Sequence, residues 1–430
     1  MLKRIVHVSP QLVSFIALLK LNLSKPQRKH VTRIADTVIV GEMRHKTLSA
    51  LYEMIVDAPD PTNAADCLRI SPWAVQDIRE PLRGFVMTEL IAHANLSGDH
   101  TLFVSIDDCL TGKDEGTRHL EAVDFHHDHT KSTRRKAAYT NGVVHVEVRV
   151  QLGTLAYSYD HRLYLREKTV RRLNRRRSRE QRLRFRSKYN LAREMLAALA
   201  QELPAGFQVY VLFDSWYASG KLLKYCRRQG WHVICALKSN RCLDGKQVSQ
   251  WNRDLKHRRY LHVRLTATDK KPRHYCVRQI QGALNKLPFD VCVFISKRHS
   301  RDTRPKYFLC TDLTLSAQAV LTIYQKRWPI EVDNFYLKQA LGLGDFRVQS
   351  FEAAEKWYAI VYLALVYLQW RLTHDDHANQ RRVPATIIRQ HRLEHGRQVL
   401  IAACTQAIQT NDLQLVLQRF LGCSAPAAPS

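Results

Sequence analysis

The string Leu102-Phe103-Val104-Ser105-Ile106-Asp107-Asp108 is the part of the chain from which its fold can be read. Its first five residues, nearly all apolar, read as a short buried strand, and two acids stand where that strand is expected to end. A second string of the same kind, Gln208-Val209-Tyr210-Val211-Leu212-Phe213, runs straight into Asp214. In α/β folds the carboxyl ends of core strands are where functional groups are presented. A lone aspartate there also serves as a loop cap, so each acid by itself carries both readings.

Further strands are expected over 143–151, 154–159 and 232–237, with helices near 191–203 and 221–229 between them. Strands alternating with helices argue for a mixed α/β core. Residues 255–312 are rich in β formers. Ser316 caps a helix that runs to Trp328, Pro329 restarts or kinks it, and Gly342 stops it. Upstream, residues 1–95 read as helical, with breaks at Pro59-Asp60-Pro61 and at Pro72. A helix over 73–85 is expected to start at Ser71-Pro72, and Gly98-Asp99 closes the helical part. Three regions follow: a helical N-terminal domain over 1–97, a core over 98–372 with a β-rich insertion at about 240–313, and a helical tail over 373–430. The last residues, 424–430, are expected to fray.

Lys and Arg number 67 against 39 Asp and Glu in 430 residues, a formal charge of +28. Such an excess points to a polyanionic partner, nucleic acid before an anionic membrane. The basic residues concentrate between 162 and 188, where 13 Lys and Arg face only Glu167 and Glu180. Apolar residues are interleaved with them, so this is a patterned element. The apolar stretch 359–369 is too short to span a bilayer and reads as a core helix. Residues 11–19 lack a cleavage site and do not read as a signal peptide. The ten cysteines include no C-x-x-C pair and read as reduced core thiols of a cytosolic protein. His119, His126, His127, Asp128 and His129 cluster without a structural zinc spacing and read as a polar loop near a nucleic-acid path, with a zinc site as the lesser reading.

Tyr324, Arg327, Glu331 and Lys338 are spaced by three, four and seven residues and fall on one stripe of a helix. A solvated charged face explains the Arg327–Glu331 pair. It explains less well why Trp328, Phe335 and Tyr336 border the stripe.

Tyr-x2-Arg-x3-Glu-x6-Lys resembles the Y-R-E-K signature of bacterial insertion-sequence transposases. The group is the insertion-sequence-four type with its relatives of the insertion-sequence-seven-hundred-one type. The strings Leu212-Phe213-Asp214-Ser215-Trp216-Tyr217, Tyr307-Phe308-Leu309-Cys310-Thr311-Asp312 and Ile106-Asp107-Asp108-Cys109 look like the same group, although threonine more often stands where Cys109 does. The resemblance covers roughly residues 102–372. It implies a ribonuclease-H-like DDE core whose acids are Asp108, Asp214 and Glu331, with Asp107 as the competitor for the first place. The 116 residues between Asp214 and Glu331 leave room for the β-rich insertion of that group.

The activity so implied is DNA transposition: Mg²⁺-dependent cleavage at the ends of an insertion sequence and strand transfer into target DNA by cut and paste. Mn²⁺ is a substitute for the magnesium. Attack on a phosphodiester develops charge on the attacking and leaving oxygens, and divalent ions held by carboxylates stabilise both. Tyr324, Arg327 and Lys338 are expected on DNA phosphates, as are Arg175, Arg176, Arg177 and Arg179 of the basic run. Readout of the DNA ends is expected within residues 30–95, through the helix beginning near Trp73. The partners are double-stranded DNA, as ends and as target, and a second copy of the chain when two ends are paired. No membrane is expected, and the place is the bacterial cytoplasm at the nucleoid. Two alternatives stay open: a nuclease-only or domesticated relative, and a non-catalytic DNA-binding protein on a transposase scaffold.

Overall fold

A computed structural model describes residues 3–43, 45–128, 130–133, 135–266, 272–375 and 383–421. His129, Cys423 and the tail at 424–430 lie outside the described residues.

Helices α1 (Pro10–Leu18), α2 (Lys25–Val40), α3 (Leu48–Tyr52), α4 (Pro61–Arg69) and α5 (Gln76–Ser97) come first. Strands β1 (Thr101–Gly112), β2 (Asp124–His127), β3 (Tyr139–Leu152) and β4 (Leu155–Tyr164) follow. Next are α6 (Glu167–Asn174), α7 (Lys188–Glu202), β5 (Gln208–Phe213), α8 (Gly220–Arg228) and β6 (His232–Leu237). A small hairpin, β7 (Cys242–Leu243) and β8 (Lys246–Gln247), leads through α9 (Val248–Asp254) to β9 (Leu261–Leu265), β10 (Arg273–Ala283), β11 (Asp290–Lys297) and β12 (Lys306–Cys310). The chain then continues as α10 (Ala317–Gln325), α11 (Pro329–Gln339), α12 (Phe351–His374), α13 (Pro384–Thr410) and α14 (Leu413–Leu421).

One mixed sheet organises the described chain, in the order β4–β3–β1–β5–β6–β12–β11–β10–β9, with β2 beside the far end of β3. β1, β5 and β6 are parallel, and β3 and β4 run antiparallel on the β1 side. This order agrees with the ribonuclease-H-like expectation. β12 to β9 extend the sheet antiparallel from β6, so the β-rich residues expected at 240–313 continue the central sheet.

Two local expectations change. β1 does not end at Ile106. Its partner β3 accompanies it as far as Gly112↔Gly142, so its backbone groups stay paired six residues further. α5 starts at Gln76, not beside Pro72. Trp73 turns into the core, 4% exposed, and its Nε1 donates to Cys67 O at 2.7 Å, while Asp77 Oδ2 accepts from Ala74 N at 2.7 Å. α5 closes at Gly98, whose φ of +69° suits glycine.

α12 is the hub. Ser350 caps it, and from Trp357 to Leu368 every side chain is buried. It lies between the sheet and the terminal helices, packed on β4, α2, α4, α5, α11 and α13. Tyr362 stacks on His161 of β4 at 3.8 Å, and Gln369 accepts from Ser158 N at 2.9 Å. Each such apolar side chain contributes about 1.5–3 kcal/mol on burial. No helix among the described residues is long and apolar enough to cross a membrane. Side chains of α1, α2, the sheet and α12 belong to one continuous apolar cluster, so the N-terminal helices share the core of the sheet. Lys46 Nζ strengthens that union by donating to Val38 O of α2 at 2.6 Å and to Ala340 O beyond α11.

Candidate active site

Strand register brings the acids together. β1 and β5 pair from Thr101↔Gln208 to Ile106↔Phe213, so Asp107 and Asp214 are the next neighbours across the two strands. Side chains alternate between the faces of a sheet. Phe103, Tyr210 and Leu212 pack against Val320 and Leu321 of α10, whereas Ile106 and Phe213 belong to the core on the other side. Asp107 therefore lies on the α10 side. There its Oδ2 accepts from Arg327 Nη1 at 3.0 Å, and the same guanidinium also pairs with Glu331. Asp214 Oδ1 accepts from the backbone N of Trp216 and Tyr217 at 2.8 and 3.3 Å, which fixes the carboxylate at the end of β5.

Asp108, preferred as the first acid by resemblance, departs from that arrangement. Its place in the alternation turns it to the opposite side, where its Oδ2 accepts from Lys188 Nζ at 2.6 Å. Lys188, the first residue of α7, also lies over the ring of Trp216 at 5.1 Å. Lys188 stands at the end of a run of like charges and 80 positions from Asp108, so no local signal in the sequence marks it as that acid's partner.

Burial pushes the Asp107 carboxyl up to about 7, with Arg327 opposing and the charges of Asp108 and Asp214 adding to the rise. Tyr324 is pushed up to about 12 by burial, against the pull of Arg327. Lys338 reaches β1 two residues beyond Asp107, where it counters the effect of burial on the Cys109 thiol. The structure therefore gathers Tyr324, Arg327, Glu331 and Lys338 over Asp107 and Cys109. They do not lie on one continuous helix, since α10 ends at Gln325 and Pro329 opens α11.

α11 is anchored from beneath. Asp333 Oδ2 accepts from Arg149 Nε of β3 at 2.8 Å, both side chains being buried. Glu331 sits on the opposite face of the same turn, with its side chain 35% exposed. Trp328, Val332 and Phe335 continue that outward edge at 61, 40 and 59% exposure. Arg149, a charged residue within an expected strand, is the one mark of this anchor in the sequence.

The basic residues divide into two sets. Arg175, Arg176 and Arg179 are exposed on the loop between α6 and α7, which leads to Lys188, the partner of Asp108. Arg177 is turned inward. Its Nη2 donates to Glu121 Oε2 at 2.6 Å and to Glu352 Oε2 at 3.2 Å, so its charge is already matched by protein. The same holds for the start of α5. Arg79 pairs with Asp160 at 3.2 Å, and Arg83 pairs with Asp160 at 3.4 Å and Glu202 at 3.0 Å. Those two cations therefore face the protein instead of an outside partner.

The histidine loop does not form a ligand cluster among the described residues. His119 is exposed and His126 is buried, while Asp128 organises the turn by accepting from Thr130 and Thr140. The described cysteines are free thiols, most of them buried.

Residues 186–367 match a family model described as a transposase DDE domain, and residues 23–274 match one described as a DDE superfamily endonuclease. The first match contains Asp214 and Glu331, and the second contains Asp107, Asp108 and Asp214. A search of curated proteins finds no match. The second match alone spans more than half of the 430 residues, and the chain belongs to the DDE endonuclease superfamily.

Proposed function

We propose that this chain is a DNA transposase of the Y-R-E-K group, cleaving the ends of an insertion sequence and joining them to target DNA by cut and paste. The observation that carries this reading is that Asp107 and Asp214 are register neighbours on the parallel strands β1 and β5, with Arg327 pairing Asp107 to Glu331 on the same side of the sheet. Asp107 takes the place of first acid ahead of Asp108, because it shares a side with the other two carboxylates.

The donor set fits a hard divalent cation. It offers only carboxylate oxygens, and Asp107 feels the like charge of Asp214 beside it. Asp107, Asp214 and Glu331 would hold Mg²⁺ or Mn²⁺, which when bound supplies charge stabilisation for attack on a phosphodiester and activates water. The remaining roles belong to the chain itself. Arg327 neutralises Asp107 and Glu331, and its fork is suited to a DNA phosphate at the same place. Tyr324 and Lys338 border it and orient the strand next to the scissile bond. Arg175, Arg176 and Arg179 hold the backbone without reading sequence. Bringing two ends together calls for two copies of the chain, working at the nucleoid.

Purified full-length protein, DNA carrying the element's own ends, and Mg²⁺ or Mn²⁺ test the proposal. Asp107→Asn, Asp214→Asn and Glu331→Gln should each abolish cleavage and leave DNA binding intact, whereas Asp108→Asn should retain cleavage. An inactive Asp108→Asn beside an active Asp107→Asn would return the first place to Asp108. Cleavage without strand-transfer products would identify a nuclease. Binding without either would identify a non-catalytic scaffold.

A further inference from the structure

α2 and α13 are joined by a polar cluster that the proposed DNA chemistry does not use. Asp36 Oδ1 lies 2.8 Å from His391 Nε2 and 3.1 Å from His395 Nε2. The three donor atoms lie within 4.8 Å of one another, and no other His, Cys, Asp or Glu group among the described residues is so gathered. Exposure is 0% for Asp36, 0% for His391 and 1% for His395. One helical turn separates the two histidines, so both imidazoles leave the same face of α13. Such a pair, completed by a carboxylate from another element, has the residue types and spacing of a zinc site.

A carboxylate sealed from water requires a positive charge beside it. Arg371 is engaged elsewhere, by Asp375 at 2.8 Å and Glu394 at 3.6 Å. The balancing charge is then either a proton shared with a histidine or a metal ion. The gathering of three ligand atoms at one fully buried point suits the ion, and unpartnered buried atoms stand on the same stretch of α13. His395 Nδ1, Glu394 Oε2 and Gln398 Oε1 all lack hydrogen-bond partners. A neutral His395 that donates from Nε2 to Asp36 leaves Nδ1 as one more bare acceptor among them. A His395 bound to metal through Nε2 carries its hydrogen on Nδ1. His391 Nδ1 faces the hydroxyl of Tyr367 at 3.5 Å, a partner that accepts or donates.

We propose that Asp36, His391 and His395 form a buried three-ligand site for Zn²⁺ that clasps α13 to α2. The ion enters as Zn²⁺ with no change of oxidation state; each bound imidazole keeps one hydrogen, on Nδ1, and the extra proton of an imidazolium passes to solvent. A water molecule completes a four-coordinate site. The signal in the sequence is His391-x3-His395, which passes for two helix-surface histidines until α13 is packed.

The test is direct metal analysis of the full-length chain. After stripping with EDTA, the wild type should take up one equivalent of Zn²⁺ and gain in melting temperature. With Co²⁺ it should develop visible d–d absorption. Asp214→Asn should keep that equivalent, which separates this site from the strand-end acids. Asp36→Asn and His395→Gln should each weaken Zn²⁺ binding by at least about tenfold. If these variants fail to fold, the wild-type Co²⁺ spectrum and EDTA sensitivity decide alone. A wild type with no bound Zn²⁺, no Co²⁺ band and a melting point indifferent to either metal would overturn the proposal and leave a histidine proton as the counter-charge of Asp36.

Discussion

Asp107 and Asp108 differ by one position, and in a strand one position reverses the face of the sheet. No local feature of Ile106-Asp107-Asp108-Cys109 distinguishes them, so resemblance points to Asp108 while side-chain placement supports the proposal of Asp107. That proposal rests on Arg327, which approaches from 220 positions away and pairs with Asp107, and on Lys188, which pairs with Asp108. Arg327 also offers the sharpest single-residue test. Its planar fork spans Asp107 and Glu331, and lysine would supply only a point charge. Arg327→Lys should therefore reduce cleavage by roughly tenfold or more, on the scale of one lost charge-assisted hydrogen bond. Mn²⁺ affinity, measured by calorimetry in parallel, should stay near wild type. A matching collapse of metal affinity would make Arg327 part of the scaffold that shapes the carboxylates.

At the scale of elements, α11 is placed by the anchor below it. Removing one partner of a buried ion pair leaves the other uncompensated, at a cost of about 3–5 kcal/mol. Asp333→Asn should therefore lower stability by that order and misplace Glu331, read as coupled losses in denaturant midpoint and cleavage. The double variant Arg149→Met/Asp333→Leu should recover most of the stability. The loop from α6 to α7 makes the complementary case. Neutralising Arg175, Arg176 and Arg179 together should flatten the salt dependence of DNA binding by up to about 0.9 per lost phosphate contact. Arg177→Gln should leave that slope unchanged and lower the melting temperature, because Glu121 and Glu352 lose their shared partner. In sequence the four arginines are equivalent, since a run of like charges carries no mark of which member turns inward.

Across the whole molecule, α12 holds the sheet and both terminal helical segments in one core, and that core contains polar groups. Burial holds His126 down at about 4, and burial with Lys338 nearby holds His145 at about 3. Both rings titrate near 6.5 when unfolded, so the unfolded chain takes up protons first as pH falls. The stability is fully present above pH 6.5 and is lost progressively from there towards about pH 3. Calorimetric melting across that window should show the decline. His145→Phe should make it shallower by up to about 1.4 kcal/mol per pH unit, the weight of one proton. An identical slope in wild type and variant would remove His145 from the account.

Much was legible before folding, because the signals are local. β5 and β6 begin and end as their apolar runs do, and Ser316 caps α10, Pro329 opens α11 and Gly342 closes the turn beyond it. The core character of α12 follows from its composition, and the Y-R-E-K spacing marks the stretch that meets the acids. Each of these depends on residues within a turn or two of one another, where periodicity, capping and backbone restriction act. What tertiary structure alone decided is which face, which partner and which charge. Asp107 against Asp108, the inward turn of Arg177, the Arg149–Asp333 anchor across 184 positions and the meeting of Asp36 with His391 across 355 all arise between distant residues. Ion pairs and hydrogen bonds act over a few ångströms, and two groups that far apart in the chain come within that range only when the sheet register and helix packing place them there.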